Sequence, residues 1–170
     1  MTGSNQSAAA ARVAGLKTLE STRQMTMGLL ETLADEHWLA QPCADANHAA
    51  WVVGHLALSD HDFAESVHEA QPALPESWKG IFGMKSKPST DASVYPSRGE
   101  LMSALGEQRA ALIAGFEALS DERLLEPIEG EMGQFIYNRA VMMSFAAAHE
   151  WFHVGQVAVV RRSLGMEPMF

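Results

Sequence analysis

The sequence is short of cysteine, basic residues and long apolar runs, and each shortage excludes a class of protein. Its single cysteine, Cys43, cannot form a disulfide within the chain, which fits a reducing, cytoplasmic location. Lys and Arg total 12 against 21 Asp and Glu, a formal net charge of −9, so the surface repels nucleic-acid phosphates and anionic lipids. No run of about 18 apolar residues is present to span a membrane. We therefore expect a soluble protein that binds neither nucleic acid nor membranes.

The length and composition are those of one globular domain. The chain has 170 residues, of which 47% are hydrophobic, and this is enough to bury a core without disulfides. Residues 1–8 are small and polar, so we expect them to be frayed. The N-terminal segment lacks the basic region and apolar run of a signal peptide, so we expect none. We predict a single domain over residues 1–170.

Apolar residues recur at helical spacing in four segments, which predict four long helices. The predicted helices run from about Val13 to Ala34, from Ala49 to about Ala70, from Ser97 to about Leu119, and from Asn138 to Leu164. The second begins after a cap near Asp45 or Asn47, and Ser97 with Glu100 forms a capping box for the third. Asn138 caps the fourth, and Gly165 follows it at C′. The predicted class is all-α, an up-and-down or crossover four-helix bundle.

A long irregular crossover loop joins the second and third predicted helices. Residues 71–97 contain several prolines, glycines and serines, which forbid a long regular element. The apolar side chains of Trp78 and Phe82 are unsuited to a solvated tether, so we expect the loop to pack on the bundle. Loops of this length in compact domains are usually functional. We predict that it covers the opening of the site and supplies Trp78 or Phe82 to it. A shorter connector, residues 127–137, is expected to be extended.

Two segments of the chain resemble one another. Residues 33–42 (LADEHWLAQP) and 119–127 (LSDERLLEP) each follow a long helix and precede the next. The similarity predicts a pseudo-repeat in which the first two helices correspond to the last two.

Three histidines occupy positions from which they can act together. His149 and His153 are four residues apart, which places their Cβ atoms roughly 5–6 Å apart on one helix face. Imidazoles so placed can converge on one ion at about 2.0–2.1 Å each. His55 lies on the apolar face of the second helix, one turn after Trp51, where leucine would be expected. All three are therefore predicted to face the bundle interior.

A buried histidine has a simpler interpretation, in which its ring hydrogen-bonds a carbonyl or a carboxylate and serves only the core. That interpretation is the favoured one for an isolated pair at this spacing. Burying three imidazoles in one core costs free energy unless a shared partner satisfies their ring nitrogens. A metal ion is such a partner. The three together predict one divalent metal held by His55, His149 and His153. Three neutral ligands leave a coordination position for water or substrate, as in catalytic sites.

The segment from His149 to His153 also spells H-E-x-x-H, the zincin motif, in which the glutamate is the general base. Zincins need a third protein ligand after the motif, but position 159 is valine and only 17 residues follow His153. Glu150 lies about 100° around the helix from His149, toward a neighbouring helix or water. A metalloprotease is therefore the less favoured interpretation, and the role of Glu150 is left open.

Several segments, in order along nearly the whole chain, resemble the DinB-like superfamily of bacterial metal-binding bundles. They are WVVGHL at 51–56, LPESW at 74–78 with Phe82-Gly83, YPS at 95–97, the H-x3-H-x-G-Q element from His149 to Gln156, and RRSLG at 161–165. The resemblance implies a four-helix bundle with three histidine ligands, here His55, His149 and His153. It also implies bound zinc or nickel and frequent homodimers. Related members include isomerases and transferases that use low-molecular-weight thiols.

These observations favour a metal-dependent transferase or hydrolase acting on a small molecule, with a low-molecular-weight thiol as candidate co-substrate. The alternative is a non-catalytic module that the metal stabilises and that acts through binding or dimerisation. Asp62, Gln156 and Trp51 share the faces of the ligands and are candidates to orient them or to contact substrate. The other four histidines, His37, His48, His61 and His68, are expected at the surface or behind the ligands.

Overall fold

The computed structural model describes residues 2–67 and 71–169, with side chains from residue 6 onward except that of residue 132. Every regular element in this part of the chain is a helix, and Pro127 with Asn138 forms one isolated bridge. The helices are α1 (Thr2–Glu31), α2 (Ala49–Glu65), α3 (Ser77–Phe82), α4 (Arg98–Ala118), α5 (Asp121–Leu125), α6 (Gly130–Gly133) and α7 (Arg139–Ser163). The prediction of an all-α bundle is confirmed. None of the described helices is both long and apolar enough to cross a bilayer.

The four long helices, α1, α2, α4 and α7, form the bundle, and paired contacts set their directions. Helix α4 is antiparallel to α1, because Arg98 contacts Leu30 and Arg109 contacts Leu19. Helix α7 is parallel to α1, because Glu150 contacts Arg23 and Arg161 contacts Thr32. Helix α2 is antiparallel to α7, because Asn47, before α2, contacts Gln156 and Ser66, after it, contacts Met142. Helices α1 and α7 therefore run one way, and α2 and α4 run the other way. Because α2 and α4 are parallel, the chain must return along the bundle between them, about 26 Å for the 17 residues of α2. This requirement explains the long crossover loop.

The structure corrects several predicted boundaries. Helix α1 begins at Thr2, so residues 2–8 are helical instead of frayed; Ala8 is completely buried and anchors this first part of the helix. Helix α2 ends at Glu65, before the predicted Ala70, and residues 68–70 lie outside the described chain. The carbonyl of Ser66, just after α2, accepts from Arg139 Nε at 3.2 Å, which stabilises this end. The connector 127–137 is not simply extended, because it contains α6.

The caps of the later helices are as predicted, whereas that of α2 is not. Ser97 and Glu100 form the complete capping box of α4, and the side chain of Asn138 accepts from Val141 N at 2.9 Å. Gly165, after α7, has a φ of 77°, which favours glycine. The cap of α2 is His48, whose Nδ1 accepts from Trp51 N at 3.1 Å. His48, which was expected at the surface or behind the ligands, is completely buried.

The two halves of the bundle are related by a shift of 86 positions, which supports the predicted pseudo-repeat. Arg12 donates to the carbonyls of Phe116 and Leu119 and to Asp121, while Arg98 donates to the carbonyls of Leu30 and Leu33 and to Asp35. Each arginine thus satisfies the carbonyl end of the other half's long helix. The same shift relates Arg23, which donates to Leu105 O, to Arg109, which donates to Leu19 O.

The core consists of two apolar clusters with a layer of charged side chains between them. One cluster contains Leu30, Trp51, Phe82 and Leu101, and the other contains Leu19, Leu112, Phe116 and Met143. Each long helix contributes one charged residue between the clusters: Arg23 from α1, Asp60 from α2, Arg109 from α4 and Glu150 from α7. The charges balance, so this layer can be buried without a net charge.

The crossover loop packs against α2 through a close approach at Gly54. A Cβ built on Gly54 would lie 2.3–2.5 Å from three ring atoms of Phe82, so only glycine allows the ring to sit there. Phe82 is 0% exposed and Trp78 is 5% exposed, and their rings contact each other. The carbonyl of Phe82 contacts Nδ1 of His55, so the loop lies beside the predicted site. Both rings are buried, and Trp78 also lines a cavity between the loop and α4 that none of the three predicted ligands lines.

Candidate metal centre

The three predicted ligands meet between α2 and α7. His149 Nε2 lies 3.2 Å from His55 Nε2 and 3.1 Å from His153 Nε2. One ring nitrogen of each residue lies within 4.8 Å of those of the other two. His55 and His153 are buried, and His149 is partly buried. Helix α7 brings two of the rings together by its own periodicity, and its antiparallel contact with α2 adds the third.

Hydrogen bonds at the opposite nitrogens fix two of the tautomers. His55 Nδ1 lies 2.7 Å from the carbonyl oxygen of Phe82, and His153 Nδ1 lies 3.1 Å from Oε1 of Gln156. Because these oxygens can only accept, each Nδ1 carries the proton and each Nε2 keeps a lone pair. Both lone pairs are directed toward His149 Nε2. One proton on His149 Nε2 can satisfy only one of them with good geometry.

The surroundings keep the three imidazoles neutral at physiological pH. Burial, followed by the neighbouring His153 and His55, lowers the pKa of His149 to about 4. Burial also lowers the pKa of His55 and of His153, because the charged form loses hydration. Neutral rings can ligate a metal without first releasing a proton.

The donor set fits a divalent ion. Three nitrogens at about 2.0–2.1 Å from a tetrahedral ion lie about 3.3 Å from one another. This is close to the distances from His149 Nε2 to the Nε2 atoms of His153 and His55, which are 3.1 Å and 3.2 Å. A cation would satisfy converging lone pairs that the protein itself leaves facing one another. The Phe82 carbonyl and Gln156 are the kind of partner that orients histidine ligands in metal sites.

Aromatic side chains surround the histidines. The indole of Trp51 stacks on His55, with ring centroids 4.7 Å apart and planes at 11°. Phe145 lies parallel to His149 at 6.5 Å, and Phe152 meets His153 edge-on at 5.3 Å. Phe145 is 39% exposed and Phe152 is 68% exposed. The accessible side of the cluster is thus bordered by these two phenylalanines of α7.

Glu150 does not have the role it has in a zincin. It is 0% exposed, and its two oxygens lie 2.8 Å from Arg23 Nε and 2.9 Å from Arg109 Nη2. Asp60 completes the cluster, with Arg109 donating to both of its oxygens at 2.8 Å. Both oxygens of Glu150 are thus engaged by arginines in the core, away from the histidine nitrogens, so Glu150 is not placed to act as the general base that the zincin motif requires.

Two of the three candidate supporting residues contact a ligand, and one does not. Gln156 bonds His153, and Trp51 stacks on His55 while its Nε1 donates to Ile81 O at 3.1 Å and to Ser86 Oγ at 2.9 Å. Asp62 is exposed and has no hydrogen bond with a histidine of the triad in the described chain. The Phe82 carbonyl orients His55 in its place.

The sequence did not indicate Asn47 as part of the site. Its Nδ2 donates to Gln156 Oε1 at 3.0 Å, so it fixes the amide that orients His153. Among the remaining histidines, His61 Nδ1 contacts Gln108 Oε1 at 3.3 Å, away from the triad, and His37 lies in a 3₁₀ turn. His68 lies outside the described residues.

Two of the cavities in the described part of the chain differ in their relation to the histidines. One of about 550 Å³ lies between the crossover loop and α4, and it is lined in part by Trp78, Tyr95 and Gln108 but by no residue of the triad. The other, of about 390 Å³, lies between the α1–α2 loop and α7 and is lined in part by Asn47 and Gln156. Only the second is therefore connected to the triad, through the bond from Gln156 to His153.

Comparisons with known proteins agree with this architecture. In structure, the chain resembles a conserved protein from Enterococcus faecalis at 17% identity and a TM-score of 0.69, covering 89% of this chain and 96% of that one; this shows a shared fold alone. No curated protein matches the chain. A family model described as DinB superfamily matches residues 18–157. That range is most of the chain and contains all three histidines, so the chain belongs to the DinB superfamily.

Proposed function

We propose that His55, His149 and His153 hold one divalent ion, zinc or nickel, and that the protein is a metal-dependent transferase or hydrolase. The observation that carries this proposal is the convergence of the ring nitrogens, with the Nε2 of His149 3.1–3.2 Å from those of the other two. When bound, the ion would act as a Lewis acid that polarises a substrate oxygen or stabilises a thiolate. Three protein ligands leave a coordination position for that group.

The chain's own residues supply orientation and exclude water. The Phe82 carbonyl and Gln156 keep a lone pair at Nε2 of His55 and His153. Trp51 covers one face of His55, while Phe145 and Phe152 border the accessible side. Since no carboxylate joins the three histidines among the residues that the structure describes, neutral imidazoles leave the ion's charge uncompensated. An anionic donor such as a thiolate is therefore favoured at the open position, which supports a low-molecular-weight thiol as co-substrate.

A non-catalytic module is the second candidate, and a surface feature favours it. The exposed face of α7 carries Val141, Phe145, Phe152 and Val159, which are 39–68% exposed. Their spacings of four and seven residues form one apolar stripe. A homodimer formed along this stripe would bury it. For either candidate we propose a cytoplasmic protein, since a lone cysteine suits a reducing compartment.

Turnover assays on metal-loaded protein separate the two candidates. We expect a low-molecular-weight thiol and an electrophilic small molecule to react at a rate that requires the metal and is lost in His149→Ala. His61→Ala, a histidine outside the triad on α2, should retain the rate. Bound metal without turnover across thiol-transfer and hydrolysis panels would contradict the enzymatic proposal and favour the module.

A further inference from the structure

The ionic cluster of the core joins the two helices that carry the histidines. Arg109 donates through Nε and Nη2 to the two oxygens of Asp60 on α2, both at 2.8 Å, and its Nη2 lies 2.9 Å from Glu150 Oε2 on α7. Arg23 makes the same connection, with Nη2 3.0 Å from Asp60 Oδ2 and Nε 2.8 Å from Glu150 Oε1. Each arginine therefore links α2 to α7.

These links lie close to the three histidines. Glu150 follows His149 directly and lies three residues before His153. Asp60 lies five residues after His55, about 7.5 Å along α2. The distance of 3.2 Å between the Nε2 atoms of His55 and His149 depends on how far α2 and α7 are offset along the bundle. The cluster fixes that offset within about one and a half turns of every ligand.

Stability alone does not account for an ionic cluster at this place. Its four side chains are 0–10% exposed, and replacing buried ion pairs with apolar side chains of similar volume is often neutral or stabilising. Apolar contacts are non-directional, so they permit two helices to slide past one another. Charge-assisted hydrogen bonds with a planar guanidinium fix both distance and direction. Such a cluster therefore defines the register of the helices that it joins.

The two arginines follow the pseudo-repeat, whereas the carboxylates do not. The shift of 86 positions that relates the arginines would pair Asp60 with position 146, but that residue is an alanine, 2% exposed. The carboxylate of α7 comes instead from Glu150, one turn later along the helix. This departure from the repeat places the carboxylate directly beside His149.

We propose that the ionic cluster positions the metal ligands, holding α2 and α7 at the offset from which the three histidines converge before an ion binds. Its members do not contact the ion, and they act on it only through the helices. Ligands of a preorganised site must be held within about 0.5 Å of the productive geometry, which directional contacts achieve. The inference rests on the proposed function, because it requires an ion at the three histidines.

A charge-balanced double variant tests this role. Arg23→Met together with Glu150→Leu removes one cation and one anion, and it leaves the bidentate pair of Arg109 with Asp60 in place. The protein should therefore keep its fold, but α7 loses its link to the cluster. With Co²⁺ as the probe, we expect affinity to fall about 10–100-fold. The visible absorption of bound Co²⁺ should also change, because it reports coordination geometry.

Arg23→Lys is a milder second variant. Lysine keeps the charge but lacks the planar fork that donates to two carboxylates at once. We expect a smaller loss of Co²⁺ affinity in the same direction, with the fold retained.

Leu112→Ala is the matched control for a general loss of stability. Leu112 is 0% exposed and lies in the second apolar cluster, so its truncation should lower Tm. Its Co²⁺ affinity and absorption should stay at the wild-type values. An equal loss of affinity in this control would overturn the proposal, since destabilisation alone would then explain the effect.

The wild type separates this inference from the proposed function. If it binds Co²⁺ and the double variant and Arg23→Lys match its affinity and absorption, the positioning role is refuted and the metal site stands. If the wild type takes up no Co²⁺, zinc or nickel, the proposed function is refuted and the positioning role with it.

Discussion

An alanine at Gly54 would test how the crossover loop supports the metal centre. The new Cβ would lie 2.3–2.5 Å from three atoms of the Phe82 ring, far inside van der Waals contact. The ring is 0% exposed and cannot swing into solvent, so the segment that carries it must shift. The same residue supplies the carbonyl that accepts from His55 Nδ1 at 2.7 Å. A packing change at Gly54 is thereby converted into a change at a metal ligand.

The expected magnitudes follow from these two contacts. Overpacking a buried site costs roughly 1–3 kcal/mol, and the better helix propensity of alanine offsets about 1 kcal/mol of this. We therefore expect the free energy of unfolding to fall by up to about 2 kcal/mol, which lowers Tm by up to roughly 8 °C in a domain of this size. Loss of the carbonyl partner of His55 should weaken metal binding by about 10–100-fold.

Gly106→Ala is the matched control. Gly106 is an exposed position of α4 where an added Cβ meets nothing within 4 Å, so alanine should stabilise the protein by about 0.5–1 kcal/mol. Its metal affinity should stay at the wild-type value. Denaturant titration and competitive metal titration measure the two quantities. A Gly54→Ala protein that loses stability but binds metal as tightly as the wild type would refute the link through Phe82.

Three further predictions concern the ionic cluster, the orienting amide and the metal. Arg109→Leu should lower the free energy of unfolding by about 3–5 kcal/mol, because Asp60 and Glu150 lose a buried partner; denaturant titration checks this, and Lys17→Ala at the surface should change nothing measurable. Gln156→Leu should weaken metal binding about 10–100-fold by competitive titration, with Gln134→Leu unchanged. Chelation should leave far-UV circular dichroism unchanged, since apolar residues form both core clusters; complete unfolding would indicate a structural ion.

Most of the fold follows from local sequence signals. The helical periodicity of four segments, the capping box at Ser97, the cap at Asn138 and the glycine at 165 all predict elements that the structure confirms. The errors lie where tertiary contacts decide the outcome. Burial of Ala8 extends α1 to its beginning, and His48 caps α2 because its other nitrogen bonds the carbonyl of Ser89 at 2.9 Å in the crossover loop.

The histidines could be found from spacing, but their supports could not. The partner of His55 is a backbone carbonyl, which every residue type has, so the sequence does not indicate it. Asn47 meets Gln156 across 109 positions of the chain. The ionic cluster did leave a signal, since Arg109 interrupts the apolar stripe between Leu105 and Leu112, and Arg23 fills the gap after Leu19. Charged residues at such interior positions predict partners of opposite charge on the other helices.

Elemental analysis of untagged protein tests the central claim most directly. Wild type, His153→Ala and His61→Ala should be purified side by side, and their metal content measured per chain. The account predicts about one equivalent of zinc or nickel in the wild type and in His61→Ala, and little in His153→Ala. Equal metal content in all three proteins, or none in the wild type, would contradict it.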